Sequence, residues 1–245
     1  MKERTLSFSG TSVRKVAVIG DGKMGQAIRQ LAVEKGWTVT AVVGERENAG
    51  GKGITAKSLG LPEVAVEFTQ PDAAVGNITA CLRAGVPIVV GTTGWHDSLP
   101  EVTRIAKETG SALLWSPNFS LGVNVLIELA RYAGTMMRSL EDFDAHIVET
   151  HHAKKKDAPS GTAIAIAKAA TDALGRPIPT TSVRTGSVPG THELIFDGAF
   201  EQLSLTHLAR DRRVFAEGAL KAADWLIGKK GVFTMRDLLD LSAPR

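Results

Sequence analysis

The sequence predicts an α/β protein in which a doubly wound parallel sheet is followed by a second α+β domain with an open mixed sheet. Three observations lead to this prediction. Short apolar runs alternate with helical patterns in the first half of the chain, a glycine-rich turn follows the first run, and strands outnumber helices after Asn118. Strand–helix alternation is typical of parallel sheets, whereas strands with few helices between them indicate antiparallel or mixed sheets.

The first half is expected to contain five buried strands, because each run is short, apolar and rich in β-branched residues. They are KVAVIG (15–20), TVTAVV (38–43), VAVEFT (64–69), VPIVVGTTG (86–94) and SALLW (111–115). Helices are expected between them. Gly36 would end the first helix, and Pro71 is placed where it can open the helix after the third strand.

The second half changes pattern. Residues 122–137 carry a helical stripe of apolar side chains, and FDAHIVETHH (143–152) alternates as a strand does. THELIFD (191–197) and FEQLSLTHLA (200–209) also read as strands. The tail, residues 214–241, reads as helix, turn and a short final element, which we expect to pack on the first domain.

Composition excludes several classes of protein. The chain has 245 residues, 43% of them hydrophobic, a net charge of +3 and a pI of about 9.0. Nucleic acid is not expected as a partner because basic residues form no tail or stripe with interleaved aromatics. A membrane partner is not expected either, because no apolar run approaches spanning length. The polar first 14 residues lack the apolar core of a secretory signal, and we assign them no function. The single cysteine, Cys81, excludes an internal disulfide and favours a cytoplasmic location.

The segment GDGKMG places Gly20, Gly22 and Gly25 in the G-x-G-x-x-G spacing, with Lys23 and Met24 inside it. The first glycine permits a tight turn, the second lets backbone approach a pyrophosphate, and the third lets helix pack on strand. An ordinary glycine turn is the alternative. The position between a strand and a helix favours a Rossmann-like dinucleotide site.

An acidic residue is expected about 20 residues further on, after the second strand, and Glu45 occupies that place. Its carboxylate would accept hydrogen bonds from ribose hydroxyls, which favours NAD. Arg46 and Lys23 could instead face a 2′-phosphate and allow NADP, or both could be solvated surface charges. The choice between NADH and NADPH therefore stays open.

Ligands of open α/β sheets bind at the carboxyl ends of the strands. Candidate walls for the nicotinamide half of the cofactor are Phe68, Thr69, Gly91, Thr92 and Thr93. Asn118, after the fifth strand, could hydrogen-bond the nicotinamide amide. The alternative is ordinary turn chemistry, in which Gly and Thr are common.

The stretch ETHHAKKKDAPSGTA (149–163) combines two histidines, three lysines and a helix start that Ser160 or a neighbour could cap. The side chains of His151 and His152 should point to opposite faces of a strand. Lysine charge, imidazole and helix N-terminus would then converge on one anion, most simply a carboxylate. A lysine among these cations should have a lowered pKa, which suits a general acid.

Two alternatives compete with the anion site. The stretch could be a solvated loop. It could also bind zinc, but adjacent histidines on a strand diverge, and no nearby Cys or further His completes a ligand set, so no metal is expected.

At these residues the chain resembles the dihydrodipicolinate reductase family, whose signature E-x-H-H-x-x-K-x-D-A-P-S-G-T-A is matched by residues 149–163. VIGDGKMG, EFTQP, VVGTTGW, SPNFSLGVN, RTGSVPGTHELIF and LARDRRVFAEGAL match in order, so the resemblance covers nearly the whole chain after Val13. Glu67 and Ser116 depart from the family, in which Asp and Ala are common at these positions.

The resemblance implies that the chain reduces 4-hydroxy-tetrahydrodipicolinate with NADH or NADPH in lysine biosynthesis. It implies a proton donor, Lys155, paired with His151, and a dicarboxylate site that uses His152, Lys155, Ser160, Gly161 and Thr162. The expected cofactor residues are Gly20, Gly22, Lys23, Met24, Gly25, Glu45, Arg46, Phe68, Thr69, Gly91, Thr92, Thr93, Ser116, Asn118 and Phe119. Lys154 and Lys156 would be surface charges.

The resemblance also implies two domains and a homotetramer built through the second sheet. Residues 14–118, completed by 213–245, would bind the dinucleotide, and residues 119–212 would bind substrate and form the assembly. An aspartate-semialdehyde dehydrogenase is the enzymatic alternative, but it needs a nucleophilic cysteine, and Cys81 lies in a predicted helix away from this stretch. A dinucleotide-sensing regulator is the non-catalytic alternative, and it would leave HHAKKKDAPSGT without a purpose.

Overall fold

The computed structural model describes residues 13–48 and 53–241. Most of the polar N-terminal extension therefore lies outside the described residues. The chain divides into two compact units, one formed by Met1–Phe119 with Phe215–Arg245 and the other by Ser120–Val214.

The first unit is built around a six-stranded parallel sheet with the order β2-β1-β3-β4-β5-β10. Its strands are β1 (Lys15–Ile19), β2 (Thr38–Val43), β3 (Val64–Glu67), β4 (Ile88–Val90), β5 (Ala112–Trp115) and β10 (Gly231–Phe233). Its helices are α1 (Lys23–Glu34), α2 (Pro71–Arg83), α3 (Leu99–Thr109), α6 (Arg213–Leu226), whose first two residues belong to the other unit, and α7 (Met235–Leu238). The predicted Rossmann-like parallel sheet is confirmed.

Two of the predicted strands end more than one residue earlier than expected. β3 ends at Glu67 and β4 at Val90, so the polar residues that follow them lie in loops. The tail supplies β10, which pairs with β5 at one edge of the sheet. Residues Val16 to Ile19 are buried, as are Val64 to Glu67, since helices cover both faces of a parallel sheet. Glu67 is thus a carboxyl in an otherwise apolar layer.

The second unit is a four-stranded mixed sheet with the order β7-β6-β8-β9 and two helices. Its elements are α4 (Leu121–Met137), β6 (Asp144–His151), α5 (Gly161–Leu174), β7 (Thr180–Arg184), β8 (Thr191–Asp197) and β9 (Gln202–Leu208). β7 runs parallel to β6, and the other pairs are antiparallel. β7 was not predicted from the sequence, because TTSVR is short and largely polar and shows no apolar alternation.

Both helices of this unit pack on one face of its sheet. Apolar side chains of α4 and α5, such as Leu126 and Ile166, form one core with Ile147, Leu194 and Phe196. The helices approach closely at Gly134, where an added Cβ would lie 2.8 Å from the carbonyl oxygen of Ala170. Among residues 13–48 and 53–241, none of the helices has the length and apolarity that crossing a bilayer requires.

The strand register assigns the remaining side chains to faces of this sheet. Glu149 and His151 share the parity of Ile147, so they point toward the helices. Glu149 lies opposite Ser182 of β7 and His192 of β8, and His192 lies opposite His207 of β9. This row of four residues crosses the sheet beside the start of α5, and Glu149 and His192 are buried.

Candidate active site

The glycine turn joins β1 to α1. Gly20 has a φ of +106°, and an added Cβ would lie 2.1 Å from the carbonyl oxygen of Phe68. A Cβ at Gly25 would lie 1.9 Å from the carbonyl oxygen of Gly20, so helix and turn are in close contact. Both positions therefore require glycine.

Gly22 differs from these two glycines. It is the N-cap of α1 and provides no side-chain cap, the first turn holds no acidic residue, and an added Cβ would meet nothing within 4 Å. The backbone N–H groups of the first turn thus receive no side-chain cap at Gly22, and the space beside this residue is open. This space fits a phosphate group, which a helix N-terminus attracts. Lys23 is exposed and Met24 half-buried at the start of the helix.

The end of β2 lies beside the glycine turn, because Gly20 donates to the carbonyl oxygen of Val43 at 2.8 Å. Glu45 and Arg46 follow, and both side chains are exposed. A Cβ at Gly44 would lie 2.9 Å from Oδ2 of Asp21. Glu45 and Arg46 thus lie at the carboxyl end of β2 beside the glycine turn, and their contact with a ribose stays a prediction.

The loops after β3 and β4 are interlocked. The ring of Phe68 lies against Gly91, where a Cβ would be 2.0 Å from a ring carbon. The backbone N–H of Thr69 donates to Oγ1 of Thr92 at 2.7 Å, and the indole of Trp95 donates to the carbonyl oxygen of Thr92 at 2.7 Å. These contacts fix the predicted nicotinamide wall at the carboxyl edge of the sheet.

The segment after β5 closes the same edge of the sheet. Ser116 donates through its hydroxyl to the carbonyl oxygen of Asn118 at 2.7 Å. Phe119 is buried, and its ring lies 5.7 Å from that of Phe68. A Cβ at Gly218 of α6 would be 1.7 Å from the carbonyl oxygen of Phe119, so the helix touches the backbone there.

Glu67, buried at the end of β3, stabilises this edge of the sheet through hydrogen bonds. Its Oε1 accepts hydrogen bonds from the hydroxyl of Thr69 and from the amide of Asn77, and Asn77 in turn accepts from the amide of Asn48. Burial raises the pKa of the Glu67 carboxyl, while hydrogen bonds from Thr69, Thr92 and Asn77 oppose the rise. From the sequence alone, Glu67 is no more than a departure from the family pattern. The structure makes it the link between the loops after β2, β3 and β4.

In the second unit, β6 ends at His151, so the predicted strand contains only the first of the two histidines and His152 lies in the loop that follows. His151 is the last strand residue and is buried, and His152 follows it half-buried. Lys154 and Lys156 are exposed, whereas the side chain of Lys155 is only 23% exposed. The structure thus separates Lys155 from the lysines on either side of it.

The surroundings of Lys155 differ from the sequence argument, which considered only its cationic neighbours. Its Nζ lies 2.8 and 2.9 Å from the two carboxylate oxygens of Asp157. Hydrogen bonding from Lys155 is the main reason that the pKa of Asp157 is lowered. The loop therefore contains its own anion, and the ammonium group is held against it.

Ser160 begins α5, as expected of a capping residue. Its hydroxyl accepts from the backbone N–H of Ala163 at 3.1 Å and lies 3.2 Å from Nε2 of His192. Gly161 is exposed, and an added Cβ there would meet nothing within 4 Å. At the start of α5, Gly161 is thus accessible, whereas the hydroxyl of Ser160 is already hydrogen-bonded within the protein.

Glu149 is a functional candidate that the sequence analysis overlooked. It is fully buried, and its Oε1 accepts from Nη2 of Arg184 at 2.6 Å and from the backbone N–H of Ser160 at 3.1 Å. Its Oε2 lies 2.6 Å from Nδ1 of His151. Burial alone would raise the pKa of Glu149, but hydrogen bonds from Arg184, Ser182 and Ser160 lower it to about 2.

This lowered pKa predicts a loss of stability in acid. A carboxyl whose pKa falls from its ordinary 4.5 to about 2 on folding stabilises the fold above pH 4.5. That contribution, on the order of 3 kcal/mol, is lost as the pH falls from about 4.5 toward about 2. We expect the difference in free energy of unfolding between the wild type and Glu149→Gln, measured by urea denaturation, to shrink over this range. A difference that is constant with pH would contradict the assignment.

His192 also corrects the reasoning about metals. No further histidine was expected near His151, but β8 brings His192 to a ring-centroid distance of 5.1 Å. Donor atoms of Glu149, His151 and His192 lie within 4.8 Å of one another, as metal ligands do. Arg184, however, already occupies Oε1 of Glu149, and a guanidinium beside the same carboxylate disfavours a cation.

Both histidines are less basic than usual. Burial lowers the pKa of His192 to about 4, with His151 as the next cause. Burial also lowers the pKa of His151, which Glu149 partly opposes and Lys155 and Arg184 reinforce. His192 is therefore neutral at physiological pH.

A parallel sheet whose first strand leads through a glycine turn into an uncapped helix is the arrangement by which NAD(P)-dependent oxidoreductases bind their cofactor. This chain is a protein of that class. Two family profiles match it, "Dihydrodipicolinate reductase, N-terminus" over residues 14–119 and "Dihydrodipicolinate reductase, C-terminus" over residues 122–239. The chain belongs to the dihydrodipicolinate reductase family, as the resemblance predicted.

Individual relatives agree with the profiles. The chain is 41% identical over 241 residues to a 4-hydroxy-tetrahydrodipicolinate reductase of Xanthomonas euvesicatoria, which covers 94% of this chain and 99% of the relative. It is 36% identical over 237 residues to the enzyme of that name from Christiangramia forsetii, with 91% and 97% covered. A dipicolinate-bound dihydrodipicolinate reductase from Paenisporosarcina shares the fold, with a TM-score of 0.73, 22% identity, and 91% and 98% coverage.

The fold is also shared with the enzymatic alternative. An aspartate semialdehyde dehydrogenase II from Vibrio cholerae superposes with a TM-score of 0.52 at 11% identity, covering 88% of this chain and 99% of the other. Cys81, however, is buried in α2. Burial, followed by the charge of Glu67, raises the pKa of its thiol to about 12. A nucleophilic thiolate is therefore not formed at this position.

Proposed function

We propose that the chain catalyses the reaction for which its relatives are named, the NAD(P)H-dependent reduction of 4-hydroxy-tetrahydrodipicolinate to tetrahydrodipicolinate in the diaminopimelate route to lysine. The observation that carries this proposal is the match of both halves of the chain to the family. In the balanced reaction, substrate, NAD(P)H and one proton give product, NAD(P)⁺ and water. A group that donates the proton is therefore required.

Lys155 is the proposed proton donor, assisted by His151. Lys155 is the least exposed of the three consecutive lysines, and Asp157 holds its Nζ in place. Glu149 holds the imidazole of His151 through Nδ1. Two groups able to transfer a proton are thus fixed in one loop and at the strand end that precedes it, as general acid–base catalysis requires.

The carboxylates of the substrate would bind at the start of α5. Gly161 and Thr162 present backbone N–H groups in the first turn, and Gly161 faces open space. Ser160 contributes by starting the helix, because its hydroxyl is engaged by Ala163. His152, half-buried beside the loop, and Lys155 complete the proposed site with positive or donor groups.

The first unit would hold the cofactor, which supplies a hydride when bound. Its pyrophosphate would lie against Gly22 and the first turn of α1, with Gly20 and Gly25 keeping turn and helix together. Glu45 and Arg46 would face the adenosine ribose. The nicotinamide wall would be formed by Phe68, Thr69, Gly91, Thr92, Thr93, Ser116, Asn118 and Phe119.

The test of the reaction is a direct assay. NAD(P)H is mixed with freshly condensed aspartate semialdehyde and pyruvate, and the absorbance of the reduced cofactor is followed. We expect the absorbance to fall when the protein is added and to stay constant when pyruvate is omitted. No fall with folded protein would favour a dinucleotide-sensing regulator without catalysis.

Glu45 and Arg46 are expected to set cofactor preference. Glu45→Ala should weaken NADH more than NADPH, because the carboxylate would accept from the ribose hydroxyls and repel a 2′-phosphate. Arg46→Ala should weaken NADPH more than NADH. We expect changes of about tenfold in the ratio of the two dissociation constants, or about 1.4 kcal/mol. If neither substitution alters the ratio, the ribose assignment is wrong.

We also propose a cytoplasmic homotetramer assembled through the face of the second sheet that α4 and α5 leave uncovered. Val183, Thr150, Thr191 and Leu208 form a row across that face, and Val183 and Leu208 are exposed. Apolar side chains on a sheet face favour association with a similar face. Sedimentation should give the mass of four chains, and a monomer at working concentration would contradict the proposal.

A further inference from the structure

A buried ion pair lies beneath the loop proposed to carry the proton donor. Glu149 of β6 is fully buried, and the side chain of its partner, Arg184 of β7, is 17% exposed. The two residues are 35 positions apart, and the parallel pairing of β6 with β7 brings them together. A buried carboxylate is costly unless it is fully hydrogen-bonded, so this pair requires an explanation.

Glu149 contacts two parts of the proposed substrate site at once. One carboxylate oxygen accepts from the backbone N–H of Ser160, which begins α5, at 3.1 Å. The other lies 2.6 Å from Nδ1 of His151. The carboxylate therefore fixes both the helix start and the imidazole.

Arg184 extends the same network to the loop. Its Nη2 donates to Glu149 at 2.6 Å and to the carbonyl oxygen of Asp157 at 2.7 Å. The carboxylate of Asp157 in turn holds Nζ of Lys155 at 2.8 and 2.9 Å. Hydrogen bonds thus run from Glu149 through Arg184 to the loop that presents Lys155, and His151 joins them through the close contact of its Nδ1 with Oε2 of Glu149.

The edge of the His151 ring that carries Nε2 is also closely packed. Gly190, with a φ of +152°, lies beside it, and an added Cβ would be 3.0 Å from Nε2. His192 packs edge-on against the ring. A carboxylate oxygen 2.6 Å from Nδ1 favours the tautomer of neutral His151 that carries its proton on that nitrogen, which would leave Nε2 to exchange a proton.

We propose that Glu149 and Arg184 are positioning residues of the reductase. Glu149 fixes the tautomer and orientation of His151, and Arg184 holds the Lys155 loop in a fixed position relative to His151. This inference rests on the proposed function. Neither residue touches the substrate in this proposal. Their effect is on turnover, through the placement of two groups that exchange protons.

The first test is Glu149→Gln, which keeps the shape of the side chain and removes its charge. We expect turnover to fall about 10²-fold, with KM for substrate and cofactor changed less than about threefold, because proton transfer depends on geometry more than binding does. Glu141→Gln is the matched control. Glu141 is an exposed carboxylate of the same unit, and its replacement should leave turnover unchanged.

The second measurement follows His151 itself by nitrogen-correlated NMR of the imidazole. In the wild type we expect the Nδ1–H tautomer. In Glu149→Gln we expect a mixture of tautomers and a lower pKa of His151, because Glu149 raises that pKa. A purely structural role for Glu149 would lower the yield of folded protein without changing the tautomer in the molecules that fold.

Arg184 loses the carboxylate of its ion pair in Glu149→Gln, and the variant can fail to fold because a largely buried charge is then uncompensated. Glu149→Asp keeps the charge but withdraws the carboxylate from Nδ1 by one methylene, so it tests position without burying an unpaired cation. We expect reduced turnover here too, and partial recovery of turnover in Arg184→Lys relative to Arg184→Met. Wild-type turnover in folded Glu149→Asp, or an unchanged tautomer in folded Glu149→Gln, would overturn the inference.

Different results would contradict the positioning role of Glu149 and Arg184 and the proposed function. If Lys155→Ala and His151→Gln abolish turnover while Glu149→Asp and Arg184→Met retain it, the positioning role is wrong and the proposed function stands. If the wild type itself does not oxidise NAD(P)H with the condensed substrate, the proposed function is wrong, and the NMR tautomer still reports whether Glu149 orients His151.

Discussion

Replacing Lys155 by Ala is expected to lower turnover by about 10²- to 10⁴-fold, the usual contribution of a general acid. The dissociation constant for NADH or NADPH should stay within about twofold of the wild type, because Lys155 and the proposed cofactor residues belong to different units. Steady-state kinetics and a fluorescence titration of the reduced cofactor measure the two effects separately.

The neighbouring lysines provide the control. Lys154→Ala and Lys156→Ala remove the same charge from exposed positions one residue away, and both should retain turnover within about threefold. An equal loss in all three variants would mean that the net charge of the loop matters rather than one proton donor. Near-normal turnover in Lys155→Ala would rule out its proposed role.

Replacing Gly22 by Ala is the second large effect that we expect. The new methyl group meets nothing within 4 Å, so the fold should accept it, with a change of less than about 1 kcal/mol in the free energy of unfolding. The methyl group would, however, occupy the space in which a pyrophosphate approaches the N-terminus of α1. Cofactor affinity should therefore fall about tenfold or more, while thermal stability is nearly unchanged.

Gly76→Ala is the matched control for this prediction. Gly76 is also a helical glycine whose added Cβ meets nothing within 4 Å, but it lies in the middle of α2. The same methyl group should leave cofactor affinity unchanged and raise stability by up to about 1 kcal/mol, because Ala favours a helix more than Gly does. If Gly22→Ala binds NAD(P)H as the wild type does, the phosphate site lies elsewhere.

Local patterns were sufficient to predict most of the fold. The first five strands of the first sheet are short apolar runs rich in β-branched residues, and the glycine turn marks the first strand–helix junction, so both can be read within a short window. β7 could not be predicted in this way. TTSVR acquires its place from pairing with β6, a contact between segments about 30 residues apart.

The proposed site could be predicted only where its residues are consecutive. His151, His152, Lys155 and Ser160 lie within one stretch, and their order alone suggested an anion site. Arg184 and His192 reach that stretch from β7 and β8, through a register that no local pattern specifies. The environment of Lys155 was also misjudged, although Asp157 is only two residues away.

One signal for Glu149 was present in the sequence. Ile147, Glu149 and His151 share one parity of β6, and Ile147 places that parity on the buried face. A carboxylate on a buried face must be paired or hydrogen-bonded, so this parity predicts a cationic or hydrogen-bond-donating partner for Glu149. The identity of that arginine still depends on the fold.

The close approach of α4 to α5 at Gly134 has a consequence for how this enzyme can evolve. The contact with Ala170 lies ten residues along α5 from Ser160, or about 15 Å along the helix axis. Any side chain at position 134 would clash with α5 far from the N-terminus of that helix. Because a helix moves as a rigid body, the clash would also displace its N-terminus. A mutational scan selected for growth without lysine should therefore find position 134 as intolerant as the loop itself, although Gly134 touches neither substrate nor cofactor in the proposed function.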